Sequence, residues 1–576
     1  MKLNGISMHT FKMTAVALCA ACQGMAAPRP ADGGDGASPR WFEEMVPMKD
    51  GKKLYTYGVL PPEGVKCAIV FARSPYVKET RVDMAAYAKS QAGALKRGYA
   101  YVQQHVRGTG MSEGDWVPYV TERDDCLATL EWIRKLPHYS GEIFLVGGSY
   151  CASVHWSYLG TNPPDVKGAV LTVQDVNRYN IHYRNGHYKM GLHGNWVVNG
   201  YKKKNASLKR DPSVKFTDLP LEGFSVRRIG ERVADLEDTW CHPRPEDSWW
   251  SMPGTAGGEY RRALLDSSMP VMMVTGFYDI YTEGIFDMWR ELPPARRANC
   301  ALVVDAFDHG GRRPGGCAED SPVFFPNGSR HDAGMVDSVL DWFDWCRGKG
   351  ALRRARPGET CWYSLWENVW HSAPELDDAE DSLTFHLTAD RHLVEEPATR
   401  EASPVPLIYD PKNAPSFPGA GCLTFGGMKA QPEPNFRSDV VSFVSRPFNR
   451  RCGVRGRMKA TLAVSSDCDD TAFYIRVSLR KRDGRWYTLR DDVKSISWDH
   501  ADYKPGSEVQ IGYTLSDHAF MIEEGDRLRM DVAGANANAF VPHTNFKGPF
   551  AKQRESRIAH NAVIPGRSIL TLPVLK

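Results

Sequence analysis

A chain of 576 residues, 42% hydrophobic and 24% charged, has room for roughly three or four domains and the composition of a folded globular protein rather than a disordered one. Its formal net charge is +3, with no long basic tract beyond Lys202-Lys203-Lys204, so nothing in the charge balance points to a nucleic-acid partner. The 16 Trp and 23 Tyr suit a β-rich core better than a dedicated ligand surface.

The first 26 residues read as an export signal. Lys2 and Lys12 supply positive charge, Met13 to Ala21 form a short apolar region, and Gly24-Met25-Ala26 offers small residues for cleavage. A cut after Ala26 is favoured, because Pro28 would directly follow a cut after Ala27. A lipoprotein route through Cys22 is the second option, since Cys19 stands where a leucine is normally wanted. The expected location is therefore periplasmic or secreted. No other stretch approaches the roughly 20 apolar residues of a stable membrane span. Of the 13 cysteines, two fall in this segment and the rest are scattered without paired C-x-x-C spacing. That speaks against a zinc or redox framework and leaves any disulfide pairing open.

A Gly/Asp/Pro-rich spacer precedes a hairpin, in which Met45 to Met48 and Leu54 to Tyr57 flank Lys49-Asp50-Gly51. Buried-type strands then alternate with helical segments, at Cys67 to Phe71, Tyr99 to Gln103, Ile143 to Val146, Ala169 to Val173, Val271 to Val274 and Ala301 to Val304. Such alternation predicts a mostly parallel sheet covered on both faces. It is read in two parts, 40–176 and 267–350. Helical spacing marks Asp124 to Leu136 and Met335 to Cys346. Between them, 177–266 is polar and aromatic (Trp196, Trp240, Trp249, Trp250) and is expected to be an inserted helical cap. Its histidines, His182, His187 and His193, lack a recognised ligand spacing, so no metal and no cofactor are expected. Past the basic stretch Arg353 to Pro357, short alternating strands predict an all-β sandwich over 356–576.

The most informative segment is Ile143-Phe144-Leu145-Val146-Gly147-Gly148-Ser149-Tyr150. A β-prone run ends in two glycines and a serine, and small residues follow. That is the form of a nucleophile elbow in an α/β-hydrolase fold. The triad in such a fold runs serine, acid, histidine along the chain. Downstream, one strand leads into Thr275-Gly276-Phe277-Tyr278-Asp279 and the next into Asp305-Ala306-Phe307-Asp308-His309. Asp279 and His309 thus both follow strand carboxyl ends, where parallel sheets display their sites. The expected roles are Ser149 as nucleophile, His309 as base and Asp279 as its orienting acid. Asp308 and Asp305 are weaker rivals for the acid. The backbone N–H of Tyr150 is the first expected oxyanion donor.

With these residues in place, the chain resembles the superfamily of Xaa-Pro dipeptidyl-peptidases and cocaine esterases. The resemblance rests on Pro75-Tyr76, Arg107-Gly108-Thr109-Gly110-Met111-Ser112-Glu113-Gly114, the Ser149-Tyr150 elbow, Tyr278-Asp279, His309-Gly310-Gly311 and Arg437 to Phe443. It covers nearly the whole chain beyond the signal. It implies an α/β-hydrolase with a helical cap, a C-terminal jelly-roll sandwich, and Tyr76 as the second oxyanion donor. Two positions depart from the pattern: Ala152 stands where glycine is usual, and His105 where aspartate is frequent. The implied chemistry is cleavage of an ester or amide through an acyl-enzyme. Ile280-Tyr281-Thr282 after the acid leave only Glu283 to bind a substrate ammonium, which argues against the α-amino-acid ester hydrolase subgroup. Tyr281 is instead expected to line an acyl pocket. An esterase or acylase acting on a small molecule is the first reading and an Xaa-Pro peptidase the second. The remoter alternative is an inert surface- or carbohydrate-binding protein. The oligomeric state is left open.

Overall fold

A computed structural model describes residues 40–575, apart from 79, 199–210, 212, 253–259, 261, 311–324, 326–336, 377–378, 380, 398–401 and 420–426. The expected signal over 1–26 with Cys22, the spacer, Lys202 to Lys204, Gly311, the start of the Met335 helix and parts of the cap lie outside the described residues.

The main sheet contains β1 (Arg40–Pro47), β2 (Lys53–Leu60), β3 (Cys67–Ser74), β4 (Tyr99–His105), β5 (Tyr139–Gly148), β6 (Val166–Thr172), β7 (Val271–Tyr278), β8 (Cys300–Asp308), β9 (Thr360–Ser364) and β10 (Val369–Ala373). Its spatial order is β1-β2-β4-β3-β5-β6-β7-β8-β9-β10. From β4 to β9 all neighbours are parallel, and β1, β2 and β10 pair antiparallel at the edges. Every residue of β7 and β8 is buried, which explains their unbroken apolar runs: a strand covered on both faces has no solvent side to alternate with.

The two faces bury different side chains. Ile69, Phe71, Ile143 and Leu145 look toward the helices α1 (Glu122–Ile133) and α2 (Tyr150–Leu159). Val70, Phe144, Val146 and Val170 pack with Trp342 and Phe343 of a later helix, Val339–Cys346. That helix begins at Val339, four residues after the start set by periodicity. Ser338 and Asp341 form a reciprocal capping box there, satisfying amides that would otherwise be orphaned.

The cap is less helical than its composition suggests. Short helices (Arg178–His182, Phe224–Ile229, Ala234–Glu237) and a small hairpin of Tyr183–Arg184 with His187–Tyr188 surround Tyr179, Tyr183, Tyr188, Phe224, Trp240 and Trp250. Segments this short are held by aromatic packing rather than by helix length.

The second domain is all-β. Its strands, from Asp381–Leu387 to Ile569–Val574, pair antiparallel almost throughout, with one parallel pair between His392–Val394 and Val440–Ser445. One hairpin crosses the domain boundary expected at residue 356. β9 and β10 lie beyond residue 356 yet continue the main sheet, with Leu302 opposite Thr360. Strand alternation predicts a strand but cannot say which sheet it joins. The domains also lock together at β7, where Arg490 donates to the Phe277 carbonyl at 2.5 Å and Tyr278 to the Thr488 carbonyl at 3.0 Å.

Candidate active site

The strand-to-helix turn at Ser149 is built as its sequence dictates. Ser149 has φ +56° and ψ −131°, a strained backbone for a non-glycine residue that costs about 1–3 kcal/mol. A side chain at Gly147 would meet the Cys151 carbonyl oxygen at 2.2 Å, so only glycine fits there. Ala152, where a glycine was the usual choice, is fully buried, and its N–H donates to the Ser149 carbonyl at 2.8 Å. One methyl is tolerated and the turn is intact.

Ser149 Oγ lies 3.0 Å from His309 Nε2, and His309 Nδ1 lies 2.6 Å from Asp279 Oδ1. All three side chains are buried. Asp279 is held in turn: its Oδ2 accepts from Thr275 Oγ1 at 3.0 Å and from the Tyr281 N–H at 3.2 Å. The rivals Asp305 and Asp308 stand on β8, and neither is the partner of His309 Nδ1, which Asp279 takes. Asp305 accepts from its neighbour's N–H on Ala306 at 2.7 Å.

Tyr76 follows the end of β3, and its hydroxyl accepts a hydrogen bond from Trp196 Nε1 at 3.2 Å. Burial pushes the Tyr76 phenol well above its ordinary value, with Trp196 and Ser149 pulling the other way. It therefore remains a protonated donor at working pH. Trp196 was legible only as a cap aromatic, because its partner lies 120 positions away in sequence. Tyr150 provides the first amide of α2, one of the group that has no intrahelical acceptor. Its phenol points the other way, donating to Glu122 Oε1 at 2.5 Å and accepting from the Tyr119 N–H at 3.1 Å.

Tyr281 packs edge-on to the His309 ring, with centroids 5.3 Å apart, and burial raises its phenol well above the usual range. Glu283 forms an ion pair with Arg184, so its carboxylate is already partnered. Below the elbow lies a buried charge network. Arg73 meets Glu122 at 2.9 Å, and Arg107 clasps Asp125 with bonds of 3.0 and 2.6 Å while reaching Asp50 at 2.6 Å. Burial raises the Glu122 carboxyl above the usual range, against the pull of Arg73.

His105 fits this frame without an acidic function. Its Nδ1 accepts from the Met111 N–H at 3.2 Å, and its ring packs against Tyr55. Desolvation lowers its pKa to about 4, so a neutral ring supports the Arg107 loop. Gly110 is required beside it, since a Cβ there would come within 2.4 Å of His105 Nδ1.

The cap histidines separate. His182 and His193 meet, with ring centroids 3.8 Å apart, and Asp235 joins them. His187 lies elsewhere, facing His543. A cleft of about 650 Å³ between cap and β-domain is lined by His187, Trp240, Trp498 and His543, among others, and by none of Ser149, Asp279 or His309.

Comparison with known proteins agrees with this architecture. The X-Pro dipeptidyl-peptidase (S15) family matches residues 50–311, and the X-Pro dipeptidyl-peptidase C-terminal non-catalytic domain matches 357–567. Cocaine esterase of Rhodococcus sp. (strain MB1 Bresler) is 22% identical over 598 aligned positions, covering 92% of this chain and 98% of that protein. Among solved structures, an α-amino acid ester hydrolase, 18% identical, gives a TM-score of 0.78 over 95% of this chain and 98% of its own. An aminopeptidase from a marine-sediment Thaumarchaeota archaeon, 17% identical, gives 0.77 over 96% and 99%. The chain, an S15-type α/β domain followed by its all-β partner domain, belongs to the serine-hydrolase superfamily that joins Xaa-Pro dipeptidyl-peptidases to cocaine esterase.

Proposed function

We propose that this serine hydrolase cleaves an acyl ester or amide of a small molecule with Ser149 as nucleophile. The carrying observation is the unbroken relay from Ser149 Oγ to His309 at 3.0 Å and on to Asp279 at 2.6 Å. His309 takes the serine proton as Oγ attacks the carbonyl carbon, then delivers it to the leaving group. Asp279 fixes the ring so that Nδ1–H points at the carboxylate and Nε2 faces the serine, and it stabilises the transient imidazolium. The tetrahedral oxyanion is received by the Tyr150 N–H and the Tyr76 hydroxyl. Because Trp196 donates to the Tyr76 oxygen, the phenol's own proton is left for the substrate and its acidity is enhanced. Water then repeats the sequence to release the acid.

Tyr281, behind His309, is read as part of the acyl-pocket wall. An esterase or acylase is preferred over an α-amino-acid ester hydrolase, since Glu283 is engaged by Arg184. The S15 family match favours a second reading, an Xaa-Pro dipeptidyl-peptidase. The all-β domain is read as a jelly-roll sandwich from its antiparallel pairing, and the protein as exported on the strength of its first 26 residues. Among the described residues, no helix is long and apolar enough to cross a membrane.

A fluorophosphonate probe tests the chemistry: a covalent adduct on Ser149 of the folded protein is expected, and its absence would refute the nucleophile. A parallel panel of p-nitrophenyl esters and Xaa-Pro anilides tests the substrate. Turnover of anilides above esters would overturn the esterase assignment.

A further inference from the structure

The cap gathers a polar cluster that the hydrolytic reading leaves unused. His182, His193 and Asp235 are 0%, 1% and 5% exposed, and their candidate ligand atoms all lie within 4.8 Å of one another. His182 Nε2, His193 Nε2 and both carboxylate oxygens of Asp235 make no hydrogen bond among the described residues. Asp235 Oδ2 does stand 3.3 Å from His193 Nε2, but without hydrogen-bond geometry. Leaving such atoms buried and unbonded costs roughly 1–3 kcal/mol for each group. A fold gains nothing from collecting three of them unless something completes the set.

The other side of each ring is already arranged for a ligand. His182 Nδ1 lies 2.7 Å from the Arg178 carbonyl oxygen, and His193 Nδ1 lies 2.9 Å from the Tyr188 hydroxyl. A carbonyl can only accept, so His182 carries its proton on Nδ1 and its lone pair on Nε2, inside the cluster. Outer hydrogen bonds of this kind fix metal-binding imidazoles.

We propose that His182, His193 and Asp235 bind one divalent transition-metal ion, with zinc the best fit, that fastens the cap beside the oxyanion pocket. Two imidazole nitrogens and one carboxylate match a tetrahedral N/O site with a fourth position for water. Calcium and magnesium would demand oxygen ligands throughout. Small side-chain rotations close the cluster onto an ion at about 2.0–2.1 Å. The His193 ring lies 6.0 Å from that of Trp196, whose N–H donates to Tyr76, so the ion would steady the wall behind the proposed oxyanion donor. Arg178 is the competing countercharge. Its guanidinium rests 3.2 Å above the Tyr119 ring centroid and interacts electrostatically with Asp235.

The test uses the untagged full chain carrying Ser149→Ala, so that metal uptake is read apart from turnover. After chelation and exchange against zinc, the protein is expected to retain about one equivalent per chain. Asp235→Asn and His193→Gln should each retain less than about a tenth of that. Cobalt(II) added to the same protein should give the strong visible absorption of a tetrahedral site, a readout that needs no substitution in the cluster. Substoichiometric zinc together with the weak spectrum of octahedral cobalt would overturn the proposal and leave Arg178 as the partner of Asp235. Equal zinc retention by the cluster variants would also overturn it, by placing the ion elsewhere.

Discussion

Beneath the elbow, Arg73 and Arg107 meet Glu122 and Asp125 at 2.9 and 2.6 Å, and the Tyr150 phenol is tied into the same network. Inside the neighbouring cap, His182, His193 and Asp235 are as deeply buried, yet their inward-facing atoms make no hydrogen bond among the described residues. The first joins opposite charges in direct pairs, although Arg73 Nε and Nη2 make no hydrogen bond among the described residues, and it anchors β3, α1 and the start of α2 to one another, which is what holding a strained serine turn requires. In the second the inward-facing atoms have only the 3.3 Å approach of Asp235 to His193, and its residues come from short cap segments rather than from the central sheet. Buried polarity thus stiffens the turn that carries the proposed nucleophile, and in the cap it offers the proposed ligand site.

The largest effect expected across this divide is at the nucleophile itself. Ser149→Ala should lower kcat at least about 10⁴-fold while leaving the unfolding midpoint nearly unchanged, as measured by ester turnover and urea titration. Near-normal turnover would remove the serine from the chemistry. Next comes the contrast between the clusters. Asp125→Ala strips Arg107 of its bidentate partner and should cost about 3 kcal/mol of stability, because a buried cation is left with only the exposed Asp50 as counter-ion. Asp235→Asn in metal-free protein should cost less, since among the described residues its carboxylate oxygens make no hydrogen bond to lose and Arg178 keeps its seat over the Tyr119 ring. Equal losses in urea unfolding would show that the cap cluster is an ordinary structural pair. Tyr76→Phe should reduce kcat about 10²–10³-fold with little change in KM. Trp196→Phe should reduce it only several-fold, in keeping with the loss of a hydrogen bond worth about 1 kcal/mol. Steady-state kinetics on one good ester separates the two, and a larger loss at Trp196 than at Tyr76 would reverse their assigned order.

Much of this site is legible in the chain because its signals are local. Gly147 and Ser149 specify a turn by sterics within five residues, and Asp279 and His309 are marked by the strands that end just before them. Tyr76 needed a family resemblance, since a tyrosine after a strand says nothing by itself about where its hydroxyl points. The missed elements are long-range. Trp196 acts on Tyr76 from another segment, Asp235 reaches two histidines across the cap, and β9 and β10 join the main sheet from beyond the apparent domain boundary. Periodicity reports which face of an element is buried. It carries no information about which partner waits on the other side.

A graded effect concerns pH and bears on the lower cluster. His105 is held neutral in the fold, with desolvation lowering its pKa from 6.5 to about 4, whereas in the unfolded chain it titrates near its ordinary value. Below about pH 6.5 the unfolded state thus binds a proton that the folded state refuses. The stability contributed by the neutral ring is complete above that pH and is lost as pH falls toward 4, at up to about 1.4 kcal/mol per pH unit. His155 and His187, each lowered to about 3, steepen the same acid limb. His105→Asn keeps an acceptor for the Met111 N–H but has no proton to take up, so its stability should fall less steeply between pH 7 and 5 than that of the parent. Urea midpoints across that range provide the measurement. An unchanged slope would mean that the ring is reached by solvent, and that the Arg107 loop is supported by its charge network alone.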